Sequence, residues 1–88
     1  MPASSETLVR LPQDVDLHAR PAADFVRCAL AFEASIVVAA GGREADAKSL
    51  LAVLALGAKG GSDLNLRAEG EDAAAALEAL AGCVTGLA

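Results

Sequence analysis

The sequence predicts an α+β fold, an open-faced β-sandwich in which a four-stranded antiparallel sheet carries three helices on one face. Strand-like and helix-like segments follow one another in the order β-α-β-β-α-β-α. Polar and apolar residues alternate in strand-like segments, which is typical of an antiparallel sheet with one solvated face. A chain of 88 residues has room for one small core, so we expect a single domain spanning 1–88.

A short loop separates the first predicted strand from the first predicted helix. Residues 6–11 read Glu-Thr-Leu-Val-Arg-Leu and predict a strand that ends at Pro12. Pro21 favours the first turn of a helix, because its fixed φ suits that turn and its missing N–H would be unpaired there anyway. The apolar residues that follow it recur at helical spacing and predict a helix over about 19–32: Ala22, Phe25, Val26 and Ala29.

A hairpin and a short helix come next. Residues 35–39 include a β-branched run that predicts a second strand, and Gly41-Gly42 is a strong turn signal. Residues 43–47 should therefore pair back on that strand as the third strand. A short helix is predicted over about 49–56, and Gly57 should end it because glycine favours the position after a helix.

The last strand and the last helix complete the predicted order. Residues 59–62 form a turn, and residues 63–68 alternate polar and apolar side chains as a half-buried strand does. The acids of Gly70-Glu71-Asp72 are expected in the first turn of the final helix, where they suit the helix dipole. Gly86 should close that helix, and its inward stripe is expected to be Ala73, Leu77, Leu80, Ala81 and Val84.

Composition excludes several classes of partner. The net charge of −5 argues against nucleic acid, since binding to phosphates needs a basic surface. The element order also allows a ferredoxin-like fold, which includes RNA-recognition modules, but those modules stack bases on aromatic sheet residues and the predicted strands contain none. No apolar run approaches the roughly 20 residues of a membrane span, and the polar start at residues 1–5 is not a signal peptide. We therefore expect a cytoplasmic protein that binds no membrane.

The two cysteines, Cys28 and Cys83, are far apart in the sequence and form no Cys-x-x-Cys motif. This spacing predicts reduced thiols that act as small buried hydrophobic side chains, and neither a redox role nor a metal role is expected. The chain has one histidine and no cysteine cluster, which cannot make an ordinary zinc site. We expect neither a metal nor a cofactor.

The single histidine, His18, lies where the first helix is predicted to begin. Free backbone N–H groups and the helix dipole favour an anion at such a helix start. Arg20 adds a planar guanidinium suited to phosphate oxygens. A nucleophilic nitrogen beside an anion site is the arrangement that a phosphohistidine needs. On these residues alone, a capping or plain surface role for His18 stays open beside the phosphoryl role.

A second informative segment surrounds Ser49, whose hydroxyl can cap the second predicted helix. Residues 50–56 contain more leucine and valine than one buried face of a two-turn helix can use. Some of Leu50, Leu51 and Leu54 should then be exposed, and an exposed apolar patch on a small protein often marks a partner site. Packing against the first helix would hide part of that patch.

Basic residues are expected to gather on the His18 side of the molecule. The four residues assigned to that side are Arg20, Arg27, Lys48 and Lys59. A local basic rim on an acidic protein suits docking onto an acidic protein surface.

These motifs together resemble one known family. The run Leu17-His18-Ala19-Arg20-Pro21-Ala22 is similar to the active-site signature of HPr, the histidine-containing phosphocarrier of the sugar phosphotransferase system. Residues 48–51 with Leu56-Gly57 are similar to the HPr stretch that carries a regulatory serine and a hydrophobic docking surface. The glycine turn at 41–42 and the segment 68–72 also match, so the resemblance runs from about Thr7 to Leu80.

The resemblance implies a stoichiometric carrier, not an enzyme. His18 would accept a phosphoryl group on Nδ1 from phosphorylated enzyme I and pass it to a sugar-specific enzyme IIA, while Arg20 neutralises the phosphoryl oxygens. Ser49 would be the position that a dedicated HPr serine kinase/phosphorylase modifies in some lineages, in connection with a catabolite regulator. The carrier would act as a monomer, and its docking face would consist of Leu50, Leu51, Leu54, Arg27 and Lys48.

An alternative within the same resemblance is a regulatory relative that does not feed sugar transport, such as a nitrogen-related paralogue or a catabolite-control binding module. The retained His18 argues against a regulator without histidine but not against a nitrogen-related carrier. One departure from the family pattern is Asp16, where most HPr sequences have glycine. Aspartate tolerates left-handed backbone better than most residues. Its carboxylate is expected either to repel a phosphoryl group on His18 or to hydrogen-bond the imidazole.

Overall fold

The computed structural model describes residues 4–87 and contains four strands and three helices in the predicted order. The strands are β1 (Ser4–Arg10), β2 (Ser35–Ala40), β3 (Arg43–Asp46) and β4 (Asp63–Glu69). The helices are α1 (Ala19–Leu30), α2 (Leu50–Leu56) and α3 (Ala73–Thr85). The polar start of the chain, to which the signal-peptide expectation refers, falls partly on residues 1–3, outside the described residues.

All four strands form one antiparallel sheet in the spatial order β1-β4-β2-β3. The β2–β3 hairpin turns at Gly41 and Gly42, whose φ angles of 57° and 80° lie in the region that glycine enters without steric cost. Strand β4 pairs with both β1 and β2, so β1 and β3 are the edges of the sheet.

One face of the sheet is buried and the other is open, as predicted. Alternate strand residues such as Val38, Leu64 and Leu66 are fully buried. Residues between them point to the open face, where Arg10 Nε lies 3.2 Å from Asp63 Oδ1 in an exposed ion pair. Such surface pairs contribute little stability. The open-faced β-sandwich is therefore confirmed.

The three helices cover the buried face of the sheet. Helix α3 packs on β1 and β4, α2 packs on β3 and β2, and α1 contacts both α2 and α3. Phe25 is the largest fully buried side chain and projects from α1. Most of the predicted α3 stripe is buried, whereas Ala81 is only half-buried against the core. None of the helices in residues 4–87 is both long and apolar enough to cross a membrane.

Helices α1 and α2 run in opposite directions beside each other. The Lys48 ammonium, just before α2, donates a 2.7 Å hydrogen bond to the carbonyl of Phe32, just after α1. At the other end, the backbone N–H of Leu17 donates to the carbonyl of Ala58 at 2.9 Å. The start of α1 therefore lies beside the end of α2.

The acids before α3 differ from the prediction. The helix begins at Ala73 and has no acidic residue in its first turn. Asp72 precedes it, and its carboxylate accepts hydrogen bonds of 2.9 Å from the backbone N–H groups of Glu33 and Ala34. Those bonds connect the start of α3 to the loop before β2, and a bond to a distant segment cannot be read from local sequence.

Replacing Asp72 by alanine should destabilise the protein near neutral pH. The backbone N–H of Glu33 holds the pKa of this carboxyl below its usual range, assisted by Ala34 and Lys48 and opposed by burial. A lowered folded pKa stabilises the protein above the unfolded pKa, and that stabilisation is lost as pH falls through the folded pKa. We expect the midpoint of thermal unfolding to fall by a few degrees at pH 7.

The control for this prediction is the exposed neighbour Glu71. Thermal unfolding of the Glu71→Ala variant should match that of the parent at pH 7. The difference between the parent and the Asp72→Ala variant should shrink below about pH 4, because the carboxyl then takes up a proton. A difference that is unchanged between pH 7 and pH 3 would contradict the role of the charged carboxylate.

Candidate functional site

His18 is exposed and occupies the N-cap position of α1. Its backbone is extended, with φ −109° and ψ −166°, and its carbonyl accepts the first helical bond from the N–H of Ala22 at 2.8 Å. The imidazole makes no capping hydrogen bond. The backbone of His18 therefore starts the helix, while the ring is left available at the surface.

Two backbone donors directly follow His18 in the chain. The N–H groups of Ala19 and Arg20 have no acceptor among residues 4–87, and Pro21 has no N–H to offer. The first turn contains no acidic residue. Unpaired N–H groups at the positive end of a helix attract negative charge, so the backbone at His18 favours an anion.

Arg20 is exposed, and within the described residues its guanidinium has no hydrogen bond or ion pair. It lines a cleft of about 360 Å³ together with Pro21, Asp24, Gly86 and Leu87, where the end of α3 meets α1. The neighbouring carboxylate of Asp24 is paired with Arg27 at 3.0 Å. The guanidinium of Arg20 is thus uncommitted two residues after His18, although its cleft does not include His18.

The loop before His18 is anchored at two points. Leu17 is only 2% exposed and its N–H is bonded to Ala58. Asp16 Oδ1 accepts a 2.8 Å hydrogen bond from the N–H of Gly60. Asp16 also has no positive φ, so this turn does not call on the tolerance of aspartate for left-handed backbone. The carboxylate is bound to a backbone amide on the α2–β4 connection, and among the described residues it has no hydrogen bond to the imidazole.

The segment around Ser49 forms the short capped helix that its sequence predicts. Ser49 is the N-cap of α2, and its Oγ accepts a hydrogen bond of 3.3 Å from the N–H of Ala52. Leu50 is 40% exposed and Leu51 is 81% exposed, whereas Leu54 is half-buried against the core. Gly57 ends the helix with a φ of 61°, as the sequence predicts for this position.

The basic residues do not form one rim beside His18. Lys48 is half-buried, and its bond to the Phe32 carbonyl places it at the opposite end of α1 from His18. A helix of 12 residues is about 18 Å long, so this separation is large. Lys59 precedes Gly60 and is close to the His18 loop, and Arg27 lies in the last turn of α1. Because α1 and α2 are antiparallel, Lys48 lies far from His18. The predicted basic rim on the His18 side is therefore wrong for Lys48.

One exposed apolar residue near α2 was not predicted from the sequence. Leu30, the last residue of α1, is 60% exposed. It lies at the end of α1, where the start of α2 is held by the Lys48–Phe32 bond. Its spacing gave no signal of this exposure, because position 30 is eight residues after Ala22 and four after Val26, which is the spacing of a shared helix face. Leu30 therefore lies at the same end of the α1–α2 pair as Leu50 and Leu51.

Comparisons with known proteins agree with this geometry. The family model described as "PTS HPr component phosphorylation site" matches residues 5–85 of the chain. Phosphocarrier protein HPr of Streptomyces coelicolor is 52% identical over 66 residues, which are 74% of this chain and 71% of the relative. The HPr of Vibrio cholerae is 43% identical over 75 residues, covering 85% of this chain and 88% of the relative.

Solved structures give the same result. The crystal structure of HPr from Bacillus anthracis has a TM-score of 0.88 and 39% identity, and the match covers 93% of this chain and 98% of that structure. Crh, the catabolite repression HPr of Bacillus subtilis, has a TM-score of 0.75 and 35% identity, covering 98% of this chain and 100% of that structure. With an exposed histidine at a helix start inside the matched region, the chain belongs to the HPr family of the phosphotransferase system, whose members are phosphocarriers and not catalytic enzymes.

Proposed function

We propose that this protein accepts a phosphoryl group on Nδ1 of His18 from phosphorylated enzyme I and donates it to a sugar-specific enzyme IIA. The observation that carries the proposal is an exposed imidazole at a helix start whose first N–H groups, those of Ala19 and Arg20, have no acceptor among residues 4–87. The protein acts in the cytoplasm as a monomer and needs neither a metal nor a cofactor. A multiphosphoryl transfer protein of Vibrio cholerae is 46% identical over 74 residues, which are 18% of its length, and its name supports a role in phosphoryl relay.

The transfer step is a displacement at phosphorus. The Nδ1 lone pair of His18 attacks the phosphoryl group as the P–N bond of the donor histidine breaks, so one P–N bond replaces another. In-line approach requires an accessible ring, and exposure of His18 satisfies that requirement from the solvent side. The two N–H donors of the helix start stabilise charge on the phosphoryl oxygens as they move.

The experiment that tests the function is phosphorylation by purified enzyme I and phosphoenolpyruvate. We expect one acid-labile, alkali-stable phosphate per chain, followed by its transfer to an enzyme IIA. Phosphate that resists acid, or no incorporated phosphate, would overturn the proposal. Phosphorylation without any transfer to enzyme IIA, combined with tight binding to a regulator, would instead support the regulatory alternative suggested by the likeness to Crh.

Arg20 should stabilise the transferring phosphoryl group, since it carries a guanidinium with no partner among the described residues. Replacing Arg20 by alanine should lower kcat for phosphoryl acceptance about 10²-fold, because an uncommitted planar donor is removed from the charged group. Steady-state kinetics with enzyme I as catalyst measure this change. The matched control is Arg27→Ala, which should raise KM and leave kcat unchanged, since Arg27 belongs to the proposed docking face.

The proposed docking face comprises Leu50, Leu51 and Leu54 with Arg27 and Lys48. The exposure of Leu50 and Leu51 supports it, while the ammonium of Lys48 is already bonded to Phe32. Ser49 caps α2 directly before these leucines. Phosphorylation of Ser49 by a serine kinase would add a charge of about −2 at this face, which opposes acidic partners and leaves the helix cap intact.

Negative charge on this face should therefore weaken docking. The Leu51→Glu variant should raise KM for the carrier in the enzyme I reaction about tenfold with little change in kcat, and Ser49→Asp should act in the same direction. Leu8→Glu is the matched control, because Leu8 is 63% exposed on the open face of the sheet. Equal KM values for Leu51→Glu and Leu8→Glu would argue against docking through α2.

A further inference from the structure

The packing of α1 against α3 brings the two thiols of the chain together. Cys83 Sγ lies 3.8 Å from the carbonyl oxygen of Asp24, one helical turn before Cys28. Cys28 follows Asp24 by one turn of α1 and packs against the core, so both thiols lie at the contact between α1 and α3. The sequence separates these residues by most of the chain, and only the fold brings them to the same contact. The expectation that both side chains are buried is wrong, because both are only partly enclosed.

Both thiols are only half-buried, and both are free. A small reagent can reach such side chains, whereas a fully enclosed thiol is inert. Burial and the neighbouring Cys28 raise the pKa of the Cys83 thiol, and the nearby Asp24 acts in the same direction. Cys83 is therefore held as a thiol at neutral pH.

We propose that Cys28 and Cys83 are a redox-active pair that closes a reversible disulfide between α1 and α3 on exchange with a low-molecular-weight disulfide such as oxidised glutathione. The Cys28 thiolate attacks one sulfur of the reagent, forms a mixed disulfide and releases one reduced thiol. Cys83 then gives up its proton and attacks Sγ of Cys28, which expels the second reduced thiol. The two protein thiols lose two electrons and two protons, and the reagent gains both.

The location of the bridge determines its effect. Cys28 lies in the last turn of α1 and Cys83 in the last turn of α3, whereas His18 is the N-cap of α1. The disulfide would close a loop of roughly 55 residues and raise the thermal midpoint by roughly 15–30 °C, since cross-linking restricts the unfolded chain. Phosphoryl acceptance at His18 should be unchanged, because the ring and its N–H donors lie at the other end of α1.

The test is titration of the purified protein with mixtures of reduced and oxidised glutathione, followed by alkylation and mass spectrometry. We expect a monomer about 2 Da lighter than the reduced chain that dithiothreitol restores. Trypsin should then release peptide 28–43 joined to peptide 68–88. In Cys83→Ser the reaction should stop with one glutathione on Cys28, and Cys28→Ser should form no internal bridge.

Any of three results would overturn the proposal. They are a parent chain that carries two glutathiones without an internal bridge, a dimer joined through cysteine, and thiols that stay reduced at every ratio tested. The peptide map of the parent protein decides the question without the variants. Because the readout is the bridge and not phosphate, it is independent of the proposed carrier function.

Discussion

Replacing His18 by alanine should abolish phosphoryl acceptance and leave stability almost unchanged. The chain has no other histidine, so the acid-labile phosphate should fall from one per chain to none. The ring is exposed and makes no capping hydrogen bond, and surface substitutions without such contacts change stability by less than about 0.5 kcal/mol. Phosphate incorporation from enzyme I and a thermal unfolding curve measure the two parts of the prediction.

The control for His18→Ala is its thermal unfolding midpoint compared with that of the parent protein. An unchanged unfolding midpoint shows that loss of phosphate reflects loss of the acceptor. The variant should still inhibit phosphorylation of the parent protein by competing for enzyme I, since the docking face on α2 is intact. Residual acid-labile phosphate on His18→Ala would place the acceptor elsewhere and contradict the site.

Replacing Gly60 by alanine should destabilise the protein by about 3 kcal/mol. A Cβ built at Gly60 overlaps the carbonyl oxygen of Gln13 and lies 2.7 Å from the carbonyl carbon of the same residue. Both contacts are backbone, so no flexible side chain can move aside to relieve them. The N–H of Gly60 also holds the carboxylate of Asp16, and displacement of this turn should move the loop that positions His18.

The matched control is Gly82→Ala in α3. A Cβ at Gly82 meets nothing within 4 Å, and alanine is the better helix former, so this change should stabilise the protein by about 0.5–1 kcal/mol. Urea unfolding of both variants measures the two opposite effects. We also expect Gly60→Ala, and not Gly82→Ala, to lower kcat for phosphoryl acceptance. Similar stabilities for the two variants would show that the turn at Gly60 accommodates a Cβ without strain, which would contradict the prediction.

Local features of the sequence were sufficient to predict the order of the elements and to place His18 at the start of α1. Pro21 and the apolar stripe that follows it predicted the start of α1, and the structure places the N-cap at His18. The Gly41-Gly42 turn and Gly57 ended their elements as predicted, because positive φ angles at those positions favour glycine. The ends of elements were less accurate: α1 ends at Leu30 and not at Phe32.

What the sequence determined by itself is the succession of elements, the face that each one buries and the position of His18 at a helix start. These properties follow from the spacing of residues within one segment. Only the tertiary structure decided which segments meet: Gly60 with Asp16, the Lys48 ammonium with the end of α1, and Cys83 with the Asp24 carbonyl on α1. Spacing along a segment reports which side chains share a face, but it contains no information about the distant backbone group or thiol that the face will contact.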